Sequence, residues 1–249
     1  MIVAPGRLIH ILLMAVMLVT ILGCEESSDQ SDLSWQLVWS DEFEGPAGQR
    51  PDSSKWDYDI GTGWGNNQLE YDTDRAENVS LDGQGRLAIV ARKESFQGQE
   101  YTSARIVTRD RFEPTYGRIE ARILLPLGQG IWPAFWLLGA NIESVGWPKC
   151  GEIDVMEYRG QDPKVTHGSL HGPGYSGSNP ITRRYVLTDT QFNQGFHEFA
   201  VEWGSGYINW YVDGELFLTA TPDDVSGEWV FDHPFYLILN VAVGGNWVG

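Results

Sequence analysis

The sequence runs to 249 residues, and a 42% hydrophobic share is enough to bury a sizeable core, which excludes wholesale disorder. Its formal net charge of −17 repels phosphate backbones and excludes nucleic acid as a natural partner. Two cysteines supply neither a disulfide scaffold nor a cysteine-rich metal site, whereas 11 Trp, 10 Tyr, 10 Phe and 29 Gly point to strands, tight turns and flat apolar surfaces that stack on rings.

Residues 1–23 read as an export signal outside the fold. Arg7 gives a small positive start, and Leu8 to Leu22 form an apolar stretch too short for a membrane span. The stretch closes on Ile21-Leu22-Gly23-Cys24, which resembles the lipobox of bacterial lipoproteins. That resemblance implies a lipidated Cys24 as the first mature residue and a place on the bacterial cell envelope, with plain secretion as the alternative. Residues 24–34 are a polar tether (EESSDQSD follows the cysteine), and 35–249 form one domain.

From Trp35 onward the pattern has period two, broken by Gly, Pro, Asn and Asp. Arg86–Glu94 alternates Leu87, Ile89 and Ala91 against polar neighbours. Tyr116–Leu125 alternates Gly117, Ile119, Ala121 and Ile123 against Arg118, Glu120 and Arg122. Tyr207–Val212, Asp213-Gly214 and Glu215–Leu218 read as a hairpin on a two-residue primed turn. Phe235–Val243 (FYLILNVAV) is apolar throughout, as a strand buried on both faces should be. No long helical stripe occurs. Many short strands with Gly-rich turns predict an all-β sandwich or jelly roll.

Residues 151–158 (GEIDVMEY) carry the sharpest signal. Glu152 and Asp154 share a face of a strand, and Glu157, at odd spacing, would face the other way. A β-bulge around Val155-Met156 would bring it back. A solvated outer face is the ordinary fate of strand acids, but Ile153, Val155, Met156 and the approach through 132–138 are apolar. Two carboxyls about 5–5.5 Å apart can run a retaining glycosidase, one as ionised nucleophile and one as protonated acid. Their proximity separates the two ionisations, and Asp154 between them can hold the proton on the correct partner.

This segment resembles the E-[ILV]-D-x-x-E signature of glycoside hydrolase family 16. The likeness extends through VWSDEF (38–43), GWGNNQLEYDTDRAENV (63–79), TSARI (102–106), YGRIEARILLP (116–126), WPAFWLLG (132–139), HGPGYSG (171–177) and LNVAVGGNW (239–247). As a set these are similar to the laminarinase-like, endo-β-1,3-glucanase branch. The resemblance implies a β-jelly-roll sandwich of two antiparallel sheets with a glycan cleft on the concave face. By position it makes Glu152 the nucleophile, Asp154 its helper and Glu157 the general acid/base. It places Trp64, Asn66, Arg75, Arg105, Trp132, Trp136, His171 and Trp247 along the glycan. His167 and His171 have a spacing that could hold a metal, but no adjacent Glu or third ligand accompanies them, so His167 reads as a packed strand histidine.

Family domains usually run past GGNW into one more strand that lends an Asp to a structural calcium site, whose other half matches Glu42 and the loop near Gly83. The sequence stops at Gly249, so a weak or absent calcium site is expected, and no cofactor is required. The expected partner is a laminarin-type polysaccharide acted on by a monomer whose sole membrane contact is its lipid. The alternatives are mixed-linkage β-glucan, a marine galactan, or a non-catalytic glycan-binding module in the same cleft.

Overall fold

A computed structural model describes residues 35–249; the expectations for residues 1–34, Cys24 among them, lie outside the described residues. Within 37–249 the chain forms an all-β sandwich. Its larger sheet has seven strands in the order Asp57–Tyr58 (β1), Arg105–Val107 (β7), Phe235–Val243 (β16), Ile131–Gly139 (β9), Glu152–Tyr158 (β10), Val165–His171 (β11) and Ile181–Val186 (β12). The facing sheet has four: Glu215–Ala220 (β15), Tyr207–Val212 (β14), His197–Gly204 (β13) and Gly117–Ile123 (β8).

Two small sheets complete the set. Glu70–Asp72 (β2), Gln99–Ser103 (β6) and Arg92–Phe96 (β5) form one, Val79–Leu81 (β3) and Leu87–Ile89 (β4) the other. The two sheets of the sandwich are antiparallel throughout, as expected, and the one parallel pair among the described residues, β2 with β6, lies in a small sheet beside them. The single strand expected over Arg86–Glu94 is instead two. Asn78 explains the break: its carbonyl accepts from Val90 N (2.8 Å) and its amide donates to Val90 O (3.0 Å), so Val90 pairs with a side chain and a loop. Among the described residues, helix is confined to one turn, Ile142–Val145 (α1), and a 3-10 turn at Pro222–Asp224.

Other sequence readings hold. Asp213 and Gly214 both have positive φ (49° and 79°), the left-handed pair a primed hairpin turn requires, and Val212 pairs with Glu215 across it. β16 is apolar on both faces because both are covered: Phe235 and Leu237 join the sandwich core, and Tyr236 and Ile238 join a second cluster on the other face.

The sandwich core forms where alternate residues of the two sheets meet. Phe135, Leu137, Ile153, Leu170 and Phe235 from the large sheet pack on Ile119, Phe199, Val201, Trp203, Ile208, Trp210 and Val212 from the small one. The opposite face of the large sheet is the one that carries Glu152 and Asp154. Cys150 is fully buried beneath it with Leu138, Tyr236 and Ile238, and burial pushes its thiol up to about 11, where it is inert.

Asp72, on β2, is buried with Oδ1 unpartnered, and burial together with the charge of Glu70 pushes its carboxyl up to about 8. A carboxyl whose folded-state pKa is raised supports the fold fully at acid pH. That support is lost as pH climbs from the ordinary value, 3.8, through about 8, because the unfolded chain gives up its proton first. Asp72→Asn should therefore flatten this alkaline loss, raising Tm at pH 8 by about 2–4 °C per kcal/mol recovered and hardly at pH 4. Thermal melts at the two pH values check it; an equal shift at both would contradict the assignment.

Candidate active site

The chemistry-bearing strand is β10. On the β9 side Asp154 pairs with Trp136 and Met156 with Phe135; on the β11 side Asp154 pairs with Ser169 and Glu157 with His167. Two residues, Val155 and Met156, therefore stand opposite Gly168 alone, and both are buried in the sandwich core. That is the expected bulge. It returns Glu157 to the face that carries Glu152 and Asp154.

Each carboxyl has its own donors. Trp147 Nε1, from the loop after α1, donates to Glu152 Oε2 at 2.9 Å. Trp132 Nε1 donates to Glu157 Oε1 at 3.2 Å, and Ser169 Oγ to Glu157 Oε2 at 3.3 Å. His171 Nε2 stands 3.2 Å from Asp154 Oδ2 and 3.8 Å from Glu152 Oε1. Burial raises all three carboxyls above their ordinary values, and whenever Asp154 ionises its charge adds to the rise at Glu152 and Glu157.

The donors decide where ionisation falls. Glu152 receives the short indole bond and the neighbouring histidine, both of which favour its charged form. Glu157 feels the same histidine but receives two longer bonds in place of the short one. Asp154 is the most buried of the three, with Oδ2 facing His171 and no aligned donor, so it keeps a proton and shares it with Glu152. The crowded carboxyls titrate in coupled steps, and the shorter bond at Glu152 makes it the better placed of the two glutamates to carry the charge while Glu157 keeps a proton.

Glu152, Asp154 and His171 also form the one group of three ligand-type side chains, among the described residues, whose atoms all lie within 4.8 Å. The outer hydrogen bonds decide against a metal. Gly177 N–H donates to His171 Nδ1 (3.2 Å), which puts the neutral ring's proton on Nε2, the nitrogen on the carboxyl side. A ligating histidine needs the reverse, a bare Nε2 and an outward donor at Nδ1. His167 cannot join a shared site, because four residues along a strand span about 13 Å. It packs against Trp247, and burial, then the charge of Arg159, lowers its pKa.

The remaining residues named from the sequence fall in three places. Arg105 is a guanidinium between two indoles, 5.0 Å from the Trp64 ring and 4.7 Å from that of Trp136. Asp59 holds its Nε at 2.9 Å, and Trp136 Nε1 donates to Asn240 Oδ1 at 2.8 Å. Trp247 stands 5.1 Å from Trp132, and its loop docks on Asn66, whose carbonyl accepts from Asn246 N at 2.8 Å. Trp132 is only 8% exposed, so its contribution is the bond to Glu157 rather than an open stacking platform.

Arg75 is held elsewhere, away from the carboxylate strand. Its guanidinium is spent on Glu94, Asn78 and Thr102 within the small-sheet region, with no bond to the carboxylate strand. Glu42 and the Gly83 loop are neighbours, since an added Cβ at Gly85 would meet the Glu42 carbonyl oxygen at 3.5 Å. Together they offer only part of the about six to eight oxygens that calcium takes.

Sequence reasoning misses Trp147, Ser169 and Thr182. Ser169 is findable: His167, Ser169 and His171 alternate along β11 onto the carboxylate face, and Thr182 Oγ1 lies 3.0 Å from Ser169 Oγ. Trp147 is carried by an irregular loop, and no periodicity marks it. Removing its bond with Trp147→Phe withdraws a contact that lowers the Glu152 pKa, so the acid limb of kcat/KM should move to higher pH. A pH–rate profile checks this; an unmoved or downward-shifted acid limb would contradict it.

Comparison with known proteins agrees with this geometry. The family described as Glycosyl hydrolases family 16 matches residues 59–249. A β-glucanase of Rhodothermus marinus is 44% identical over 248 residues, spanning 94% of this chain and 86% of its own. The laminarinase catalytic domain of Thermotoga maritima, 49% identical, superposes with a TM-score of 0.81 over 86% of this chain and 90% of that one. An endo-β-1,3-glucanase from Pyrococcus furiosus, 46% identical, gives 0.80 over 86% of each.

Proposed function

The chain belongs to glycosyl hydrolases family 16 and is a glycoside hydrolase, and from that premise we propose that it cleaves laminarin-type β-1,3-glucan within the polymer, with retention of configuration. One observation carries the mechanism: the Val155–Met156 bulge sets Glu152 and Glu157 on one face, each with its own donors. Ionised Glu152 attacks the anomeric carbon while Glu157 protonates the departing oxygen, forming a glycosyl-enzyme. Glu157, now a carboxylate, takes a proton from water, which opens the intermediate from the same side as the lost sugar. The indole-flanked Arg105 and the Trp132–Trp247 pair border the cleft that orients the glycan.

The substrate is supported by the relatives' activities, and a panel tests it. Reducing-sugar release should be greatest on laminarin, less on lichenan, and absent on agarose and carrageenan. A preference for either galactan would overturn the substrate, and release from none would favour a binding module.

The place of action follows from the N-terminal sequence. A lipid on Cys24 would tether the monomeric enzyme to the bacterial envelope. Cys24→Ser should move activity from the membrane fraction to the soluble one; no movement would favour simple secretion.

A further inference from the structure

The geometry points to Trp210, in the sheet opposite the catalytic strand, as a positioning residue whose indole N–H holds the bulge that turns Glu157 toward Glu152. This inference rests on the reading of Glu157 as acid/base. A bulge leaves backbone groups without regular ladder partners, and a strand that relaxed to regular pairing would carry Glu157 to the core face. Here the carbonyls on either side of the bulged pair, Val155 and Met156, are each gripped by a side chain. Trp210 Nε1, fully buried on β14, donates to the Asp154 carbonyl at 2.8 Å. Thr166 Oγ1, on β11, donates to the Glu157 carbonyl at 3.0 Å.

The residue opposite the bulge makes the approach possible. A Cβ on Gly168 would stand 2.6 Å from Trp210 Cδ1 and 3.0 Å from Phe217 Cζ, so only glycine lets the indole reach the catalytic strand. The grip thus comes from both sides: an indole from the facing sheet and a hydroxyl from the neighbouring strand. Neither side chain meets the carboxylates themselves, so each acts through the backbone that carries them.

A merely structural tryptophan and a positioning one differ in what their loss does to chemistry. Trp210→Phe keeps a ring in the core and removes the donor; Thr166→Val keeps the shape and removes the hydroxyl; Gly168→Ala keeps both donors and pushes the indole. A misplaced general acid hurts a poor leaving group and spares an activated one.

The test measures laminarin kinetics and the single-turnover glycosylation rate with a dinitrophenyl β-glycoside for each variant. The expected loss in kcat on laminarin is on the order of 10–100-fold, with KM within about 2-fold. Glycosylation by the activated substrate should stay within about 3-fold of the parent, and azide should restore its overall turnover. An equal loss on both substrates, or no loss on either, would overturn the inference. Should Trp210→Phe not fold, Thr166→Val is expected to show the same split between substrates, and an equal loss there would overturn the inference by itself. A parent enzyme that released nothing from laminarin would refute the functional reading instead, which separates the two failures.

Discussion

Glu152→Gln is expected to abolish turnover of laminarin and of activated aryl glycosides alike, by on the order of 10⁴-fold or more. No leaving group rescues it, because the attack on the anomeric carbon has no other source. Shape is retained, and the like-charge crowding with Asp154 and Glu157 is relieved. Since burial raises the Glu152 pKa, the native residue supports the fold in acid and loses that support as pH rises. The inactive variant should therefore melt higher than the parent at neutral pH. Kinetics on both substrates with parallel melts check it; residual aryl-glycoside turnover near the parent rate would remove Glu152 from the nucleophile's role.

Glu157→Ala should fail differently. The acid matters most when the departing oxygen needs a proton, so laminarin cleavage should fall about 10²–10⁴-fold while the first step with a dinitrophenyl leaving group largely survives. Water then opens the intermediate slowly, its general base having gone. Azide needs no base and should restore turnover, giving a β-configured glycosyl azide through the second inversion. In a Glu152→Ala variant azide enters from the opposite face, so any rescued product is α-configured. An α product from the Glu157 variant paired with a β product from the Glu152 variant would exchange the two roles.

Much of this was legible in the sequence because β structure writes its faces in period two. The primed turn at Asp213-Gly214 and the doubly buried β16 depend on local residue types alone, and both appear as read. The bulge was legible from a conflict, an acid at odd spacing on an apolar strand. Period two cannot show contacts between sheets: Trp210 looks like any core tryptophan until its indole is seen on the Asp154 carbonyl. Nor can it separate a guanidinium facing the cleft from one spent inside a small sheet. Arg105 and Arg75 both lie in polar, aromatic-flanked segments, and only the tertiary partners, Asp59 with two indoles against Glu94, Asn78 and Thr102, tell them apart. Trp132 is a milder case, since its spacing put it on the right face but not on the hydrogen bond to Glu157.

The claim that Glu152 and Glu157 act from one face of a bulged strand is tested most directly by the anomer first released from laminarin. Proton NMR in the opening minutes of digestion, before mutarotation, resolves the two reducing-end signals. Attack by Glu152 followed by water from the Glu157 side inverts twice and delivers the β-anomer first. Early accumulation of the α-anomer would mean a single inversion by water, and would contradict the account.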